Sequence, residues 1–79
     1  VPTVLRIGPY RFHFYAADGG ERAHVHVHGP FRGQPKFWIN PVALADEAGV
    51  SARTLREIER IVIDNQEHLL RSWNEFFAQ

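Results

Sequence analysis

The chain has 79 residues, no cysteine and a formal net charge of zero. That length makes one domain with a small core, because a chain of this size buries only about 60% of the surface it exposes when unfolded. The absence of cysteine excludes disulfides and thiolate metal sites, and the zero net charge argues against a generally basic nucleic-acid binder.

The charge is unevenly placed. Residues 1–40 carry Arg6, Arg11, Arg22, Arg32 and Lys36 against Asp18 and Glu21. Residues 41–79 carry four arginines against seven acids. An anionic partner is expected to prefer the N-terminal half, although a solvated surface with charges sorted by chance gives the same count. No apolar run approaches the roughly 20 residues that span a bilayer. The opening Val1-Pro2-Thr3-Val4-Leu5-Arg6 lacks the architecture of a signal peptide. The expectation is a single cytoplasmic α+β domain over residues 1–79, with no membrane contact.

The first forty residues alternate like strands. Residues 3–7 form a short one, broken by Gly8-Pro9. Residues 10–16 follow, with Tyr10, Phe12 and Phe14 on one face and Arg11, His13 and Tyr15 on the other. Asp18-Gly19-Gly20-Glu21 signals a hairpin turn. In residues 23–28, Val25 and Val27 share one face while His24, His26 and His28 share the other, because side chains alternate along a strand. Residues 29–35 read as a loop. Residues 36–40 are a further strand, with Phe37 and Ile39 opposite Lys36, Trp38 and Asn40.

The second half reads as helical. Asn40 can cap a short helix, with Pro41 at its first position and Gly49 just past its end. Ser51 caps a long one, with Val50 and Leu55 as its hydrophobic staple. Leu55, Ile58, Val62, Leu69, Trp73 and Phe76 recur at helical spacing as its buried stripe, broadened by Ile61, Ile63, Leu70 and Phe77. Arg60 and Asp64, Glu67 and Arg71, and Arg71 and Glu75 sit four apart on its outer side. The expected architecture is a small antiparallel sheet of three to four strands packed on one long C-terminal helix, with a short helix before it. The helix covers Phe12, Phe14, Val25, Val27, Phe37 and Ile39. The wide apolar stripe leaves an excess that suits a homo-oligomer or a partner chain.

That packing leaves the opposite sheet face open, bearing Arg11, His13, Tyr15, His24, His26, His28, Lys36 and Trp38, with Arg6 at its margin. On a strand the outer two of the three histidines sit roughly 13–14 Å apart, and neighbours roughly 6.5–7 Å apart. The turn at Gly19-Gly20 makes His13 and His26 cross-strand neighbours. Three uses of this patch compete. Two histidines can act as general base and general acid in metal-independent RNA cleavage, since imidazole has an ordinary pKa near 6.5. His24 and His26 are then the catalytic pair, Arg11 and Lys36 meet the phosphate, Tyr15 and Trp38 stack bases, and His13 and His28 are further substrate contacts. His-x-His plus a third ligand can instead hold a transition metal, although the face carries no acid of its own unless a turn acid reaches across. Thirdly, the histidines can be a plain polar surface.

Residues 41–60 also resemble a helix-turn-helix, with Arg53 and Arg56 toward a DNA groove. An ordinary turn between helices uses the same caps, and the acidic charge of this half opposes phosphate binding. His68 is expected to be solvated on the polar flank of the long helix, and Asn65 to lie at the edge of the stripe in a hydrogen-bonding structural role.

The run from Pro2 through Thr3-Val4-Leu5-Arg6-Ile7-Gly8-Pro9-Tyr10-Arg11 to Phe12 carries a resemblance, as do Phe14-Tyr15, Asp18-Gly19-Gly20-Glu21, His24-Val25-His26-Val27 and Lys36-Phe37-Trp38. With the C-terminal helix, these segments resemble a family of short bacterial proteins catalogued as a domain of unknown function. The resemblance covers essentially the whole chain. Members of that family often sit in operons beside a second small domain of unknown function, in the arrangement of a toxin with its antitoxin. The resemblance therefore implies a toxin with a cognate small antitoxin protein. Two departures stand out: Ala23 lies where the family commonly has proline, and His28 extends the His-Val-His-Val core. The expected function is a toxin of the ribonuclease type, without a cofactor. A non-catalytic protein-binding module or a helix-turn-helix DNA-binding domain is the alternative.

Overall fold

Five strands pair antiparallel in chain order in the computed structural model, which describes residues 3–78. They are β1 (Thr3–Ile7), β2 (Tyr10–His13), β3 (His24–His28), β4 (Lys36–Ile39) and β5 (Val42–Asp46). Two helices follow, α1 (Ala52–Asp64) and α2 (Gln66–Phe76). β1 turns into β2 at Gly8, whose φ of +55° is a conformation that favours glycine.

The alternation in the sequence places the core. Phe12, Phe14, Val25, Val27, Phe37 and Ile39 are all buried and meet Leu55, Ile58, Val62, Leu69 and Trp73 of the helices. Ser51 caps α1 by accepting the Thr54 N–H at 3.3 Å, and Val50 and Leu55 on either side of the cap are both buried. Phe76 and Ile63 lie outside the buried set, 38% and 47% exposed, so the stripe is narrower than its spacing suggested.

Three expected elements are corrected. Residues 42–46 form a strand, so the sheet has five strands rather than three or four, and the short helix before the long one does not exist. A brief run such as Val42-Ala43-Leu44-Ala45 satisfies strand and helix periods alike. What decides is the free edge of β4. Phe37 pairs with Leu44, Trp38 with Ala43 and Ile39 with Val42, which uses backbone groups that an edge strand would leave open. α1 then packs on both β4 and β5. The helix-turn-helix over residues 41–60 loses its first helix by the same correction.

The long helix is two helices. Asn65 leaves helical geometry at φ −118° and ψ 17°, and its side-chain amide donates to the Ile61 carbonyl at 2.8 Å. A side chain that takes a helical carbonyl competes with the backbone and breaks the axis. Gln66 Nε2 donates to the Ile39 carbonyl at 2.8 Å and seats the start of α2 at the end of β4. His68 reaches the Val4 carbonyl at 2.8 Å through Nε2, which ties α2 to β1. Of the three expected i,i+4 ion pairs, Arg60–Asp64 closes at 3.5 Å among the described residues.

The third correction concerns the β2–β3 connection. β2 ends at His13 rather than running to residue 16, and Ala16–Gly20 is a short 3-10 helix rather than a hairpin turn over residues 18–21. The Asp18 carboxylate accepts the Tyr15 N–H at 2.9 Å, while the Asp18 N–H donates to the Tyr15 carbonyl at 2.9 Å. This aspartate-capped turn folds the connection back over the end of the sheet. Gly19 lies so close to the residue that ends α2 that a Cβ there would meet the Phe77 ring at 2.8 Å.

Candidate functional site

Strand register sorts the histidine face into three cross-strand rows. Arg6 pairs with Arg11, and Arg11 with His28. Thr3 pairs with His13, His13 with His26, and His26 with Lys36. His24 pairs with Trp38. Opposed residues in an antiparallel pair share a face and sit within contact distance, so the rows form one continuous surface. The ring centroids of His13 lie 5.9 Å from those of His26 and 4.6 Å from those of His28. Those of His24 and His26 lie 5.0 Å apart.

The face is not uniformly open. His24 is 0% exposed, packed against Trp38 at 5.8 Å and Trp73 at 5.2 Å between ring centroids. His13 is buried as well, with Nε2 3.2 Å from Gln34 Oε1. The Tyr15 hydroxyl donates to the same Gln34 oxygen at 2.6 Å. His26 and His28 remain half-buried, and Arg6 and Arg11 are exposed.

The turn acid reaches across. Asp18 Oδ2 lies 3.1 Å from His26 Nε2 and 3.2 Å from His24 Nε2. Burial alone would raise the Asp18 carboxyl. The Tyr15 N–H bond and the facing His24 and His26 outweigh burial and hold it below the usual carboxylate range. Burial lowers His26, against the pull of Asp18, and it lowers His13, against its hydrogen bond to the Gln34 amide oxygen. His24 Nδ1 sits 2.8 Å from the Arg22 carbonyl, and since a carbonyl only accepts, Nδ1 carries the proton.

The expected substrate contacts divide into two groups. Arg11, His13, Tyr15 and His28 line one small cleft, together with Thr3, which the sequence did not single out. Lys36 and Trp38 lie on the other side of β3 and are already engaged. Lys36 Nζ donates to Glu21 Oε1 at 2.8 Å, which holds the Glu21 carboxyl below its usual range. Trp38 has the Arg22 guanidinium 4.9 Å and the Lys36 ammonium 4.8 Å from its ring centroid. Asp18, Gln34 and Glu21 belong to the site although the alternation pattern does not reveal them. Asp18 is signalled by its place in the turn, whereas Gln34 sits in an irregular loop without any local mark.

A family match takes in four of the five strands, the 3-10 turn, all of α1 and most of α2, over residues 10–74. The chain belongs to this family, a domain of unknown function (DUF4160). No curated protein and no solved structure matches it. The DUF4160 match includes Asp18 and all four sheet-face histidines, and begins after Arg6. No helix among the described residues is long and apolar enough to cross a membrane.

Proposed function

We propose that this DUF4160 domain is the toxin of a bacterial toxin–antitoxin pair and that it cleaves RNA at the imidazole face of its sheet. The observation that carries this reading is the row Arg6–Arg11–His28 beside the row His13–His26. Neither Arg6 nor Arg11 has a carboxylate within 4.0 Å among the described residues. Two exposed cations without a partner, next to imidazoles, suit a phosphodiester and the proton transfers that break it.

Exposure assigns the roles. His26 reaches solvent beside Asp18 and is the catalytic histidine. His28 faces the cleft with Arg11 and serves as the second proton carrier. Arg11 binds the phosphate and offsets charge developing on the phosphorane. Tyr15, held by Gln34, walls the cleft against a base. His24 lies too deep to touch substrate, so it acts as a positioning residue for Asp18 and His26. Lys36 and Trp38 contribute less, being already paired. A small antitoxin that covers this face completes the proposal.

The test is incubation of the purified, untagged protein with cellular RNA, with chelator and with added Zn2+. Fragments that appear in either condition, and disappear in His26→Ala protein of native circular dichroism, are the expected result. RNA left intact in both conditions overturns the reading. Unimpaired cleavage by His26→Ala overturns the assignment of the reacting group.

A further inference from the structure

At the inner end of the histidine face His26 Nε2 and Asp18 Oδ2 share a hydrogen bond at 3.1 Å, but one buried atom beside them is left out. His24 Nε2 is fully buried and has no hydrogen-bond partner among the described residues. Its Nδ1 proton goes to the Arg22 carbonyl, so in the neutral ring the Nε2 lone pair points outward unmet. Asp18 Oδ2 stands 3.2 Å away, close enough to interact but not hydrogen-bonded to it. A lone pair facing a carboxylate oxygen repels it, and a polar atom buried without a partner costs free energy.

A cation between the three groups removes both difficulties. We propose that Asp18 Oδ2, His24 Nε2 and His26 Nε2 bind one divalent first-row transition-metal ion, of which Zn2+ is the representative.

The distances fit. Bonds of about 2.0–2.1 Å to a tetrahedral ion put neighbouring ligand atoms roughly 3.3–3.4 Å apart, and octahedral cis ligands stand roughly 2.9 Å apart. The two Asp18–imidazole separations, 3.1 and 3.2 Å, fall between these values. All three ligand atoms lie within 4.8 Å of one another, and a shared ion would hold the two imidazole nitrogens within the roughly 4.1 Å that two such bonds can span. The set is two imidazoles and one carboxylate, which suits Zn2+ or Fe2+ better than Ca2+ or Mg2+.

The surroundings are those of a metal site. A ligating histidine ordinarily donates its other N–H to a carbonyl or carboxylate, which fixes the ring and its tautomer. His24 does so to Arg22. The carboxylate is oriented in turn by the Tyr15 N–H at 2.9 Å. His24 is sealed by Trp38 and Trp73, whereas the His26 side chain keeps 17% of its surface exposed. An ion held there would be closed on the core side and open toward solvent, leaving coordination positions for water or a substrate oxygen.

This inference rests on the cluster's geometry and goes beyond the RNA reading, from which it is independent. Were both to hold, the ion's water would take over the proton-accepting role from His26, and chelation would abolish cleavage.

The test is Zn2+ titration of the untagged full-length protein by calorimetry, with the metal alone as probe and no activity measured. One Zn2+ per chain is expected. Asp18→Asn keeps an acceptor for the Tyr15 N–H but removes the anionic ligand, and should weaken binding by at least about tenfold, as should His26→Ala. His28→Ala should bind like wild type. Ring-nitrogen NMR spectra of the wild type avoid the risk that a variant misfolds: added Zn2+ should move the Nε2 signals of His24 and His26 and leave those of His68 in place. The proposal is overturned by a wild type without stoichiometric binding, or by Zn2+ shifting His13 and His28 in place of His24. Undiminished affinity in Asp18→Asn also overturns it.

Discussion

His24 and His28 are the two ends of one strand, carry the same side chain and project from the same face, yet they occupy opposite environments. His24 is wholly buried between two tryptophans, with its proton given to a backbone carbonyl. His28 is half-buried beside the exposed Arg11. The difference comes from what lies over each end. The 3-10 turn brings Asp18 across the His24 end, and Gly19 lets that turn press on Phe77 of the C-terminal segment. Nothing among the described residues closes the Arg11–His28 end beyond the wall of its small cleft. A run that looks equivalent residue by residue is thus split by its covering into a fixed end and an accessible one, with His26 at the boundary.

The largest effect should come from removing the fixed end. His24→Ala deletes a buried ring and orphans the Arg22 carbonyl, and is expected to cost about 2–4 kcal/mol of stability in urea unfolding. His28→Ala should cost no more than about 0.5 kcal/mol, as for other accessible positions. Equal costs would remove the distinction between the two ends. A smaller effect separates the two basic groups. Arg11→Ala should weaken single-stranded RNA binding and lower the salt dependence by about one phosphate contact, a slope change of roughly 0.7. Lys36→Ala should change RNA binding less, because Glu21 already neutralises that ammonium. A titration in which Lys36 matters more than Arg11 would place the anion on the wrong side of β3.

Much of this layout was legible from residue pattern alone. Val25 and Val27 against His24, His26 and His28 gave the two faces of β3, and the glycine turn gave the His13–His26 pairing. Ser51 and Val50 marked the start of α1 because capping is local chemistry. β5 was not legible, since Val42 to Ala45 is too short for its period to distinguish strand from helix, and the open edge of β4 settles it. Asn65 carries no sign in its neighbours that its amide will take the Ile61 carbonyl and divide the helix. The burial of His24 depends on Trp73, far along the chain, and so does not show in the alternation that placed the ring on its face. Asp18 was visible as a turn acid, but its reach to both imidazoles depends on the connection folding as a 3-10 helix.

The central proposal, that the imidazole face is the working site of a toxin, is tested most directly by inducing the protein alone in a bacterial host. Wild type should arrest growth, and His26→Ala, accumulating to the same soluble level, should not. Unchanged growth on wild-type expression, or full arrest by His26→Ala, would contradict the account.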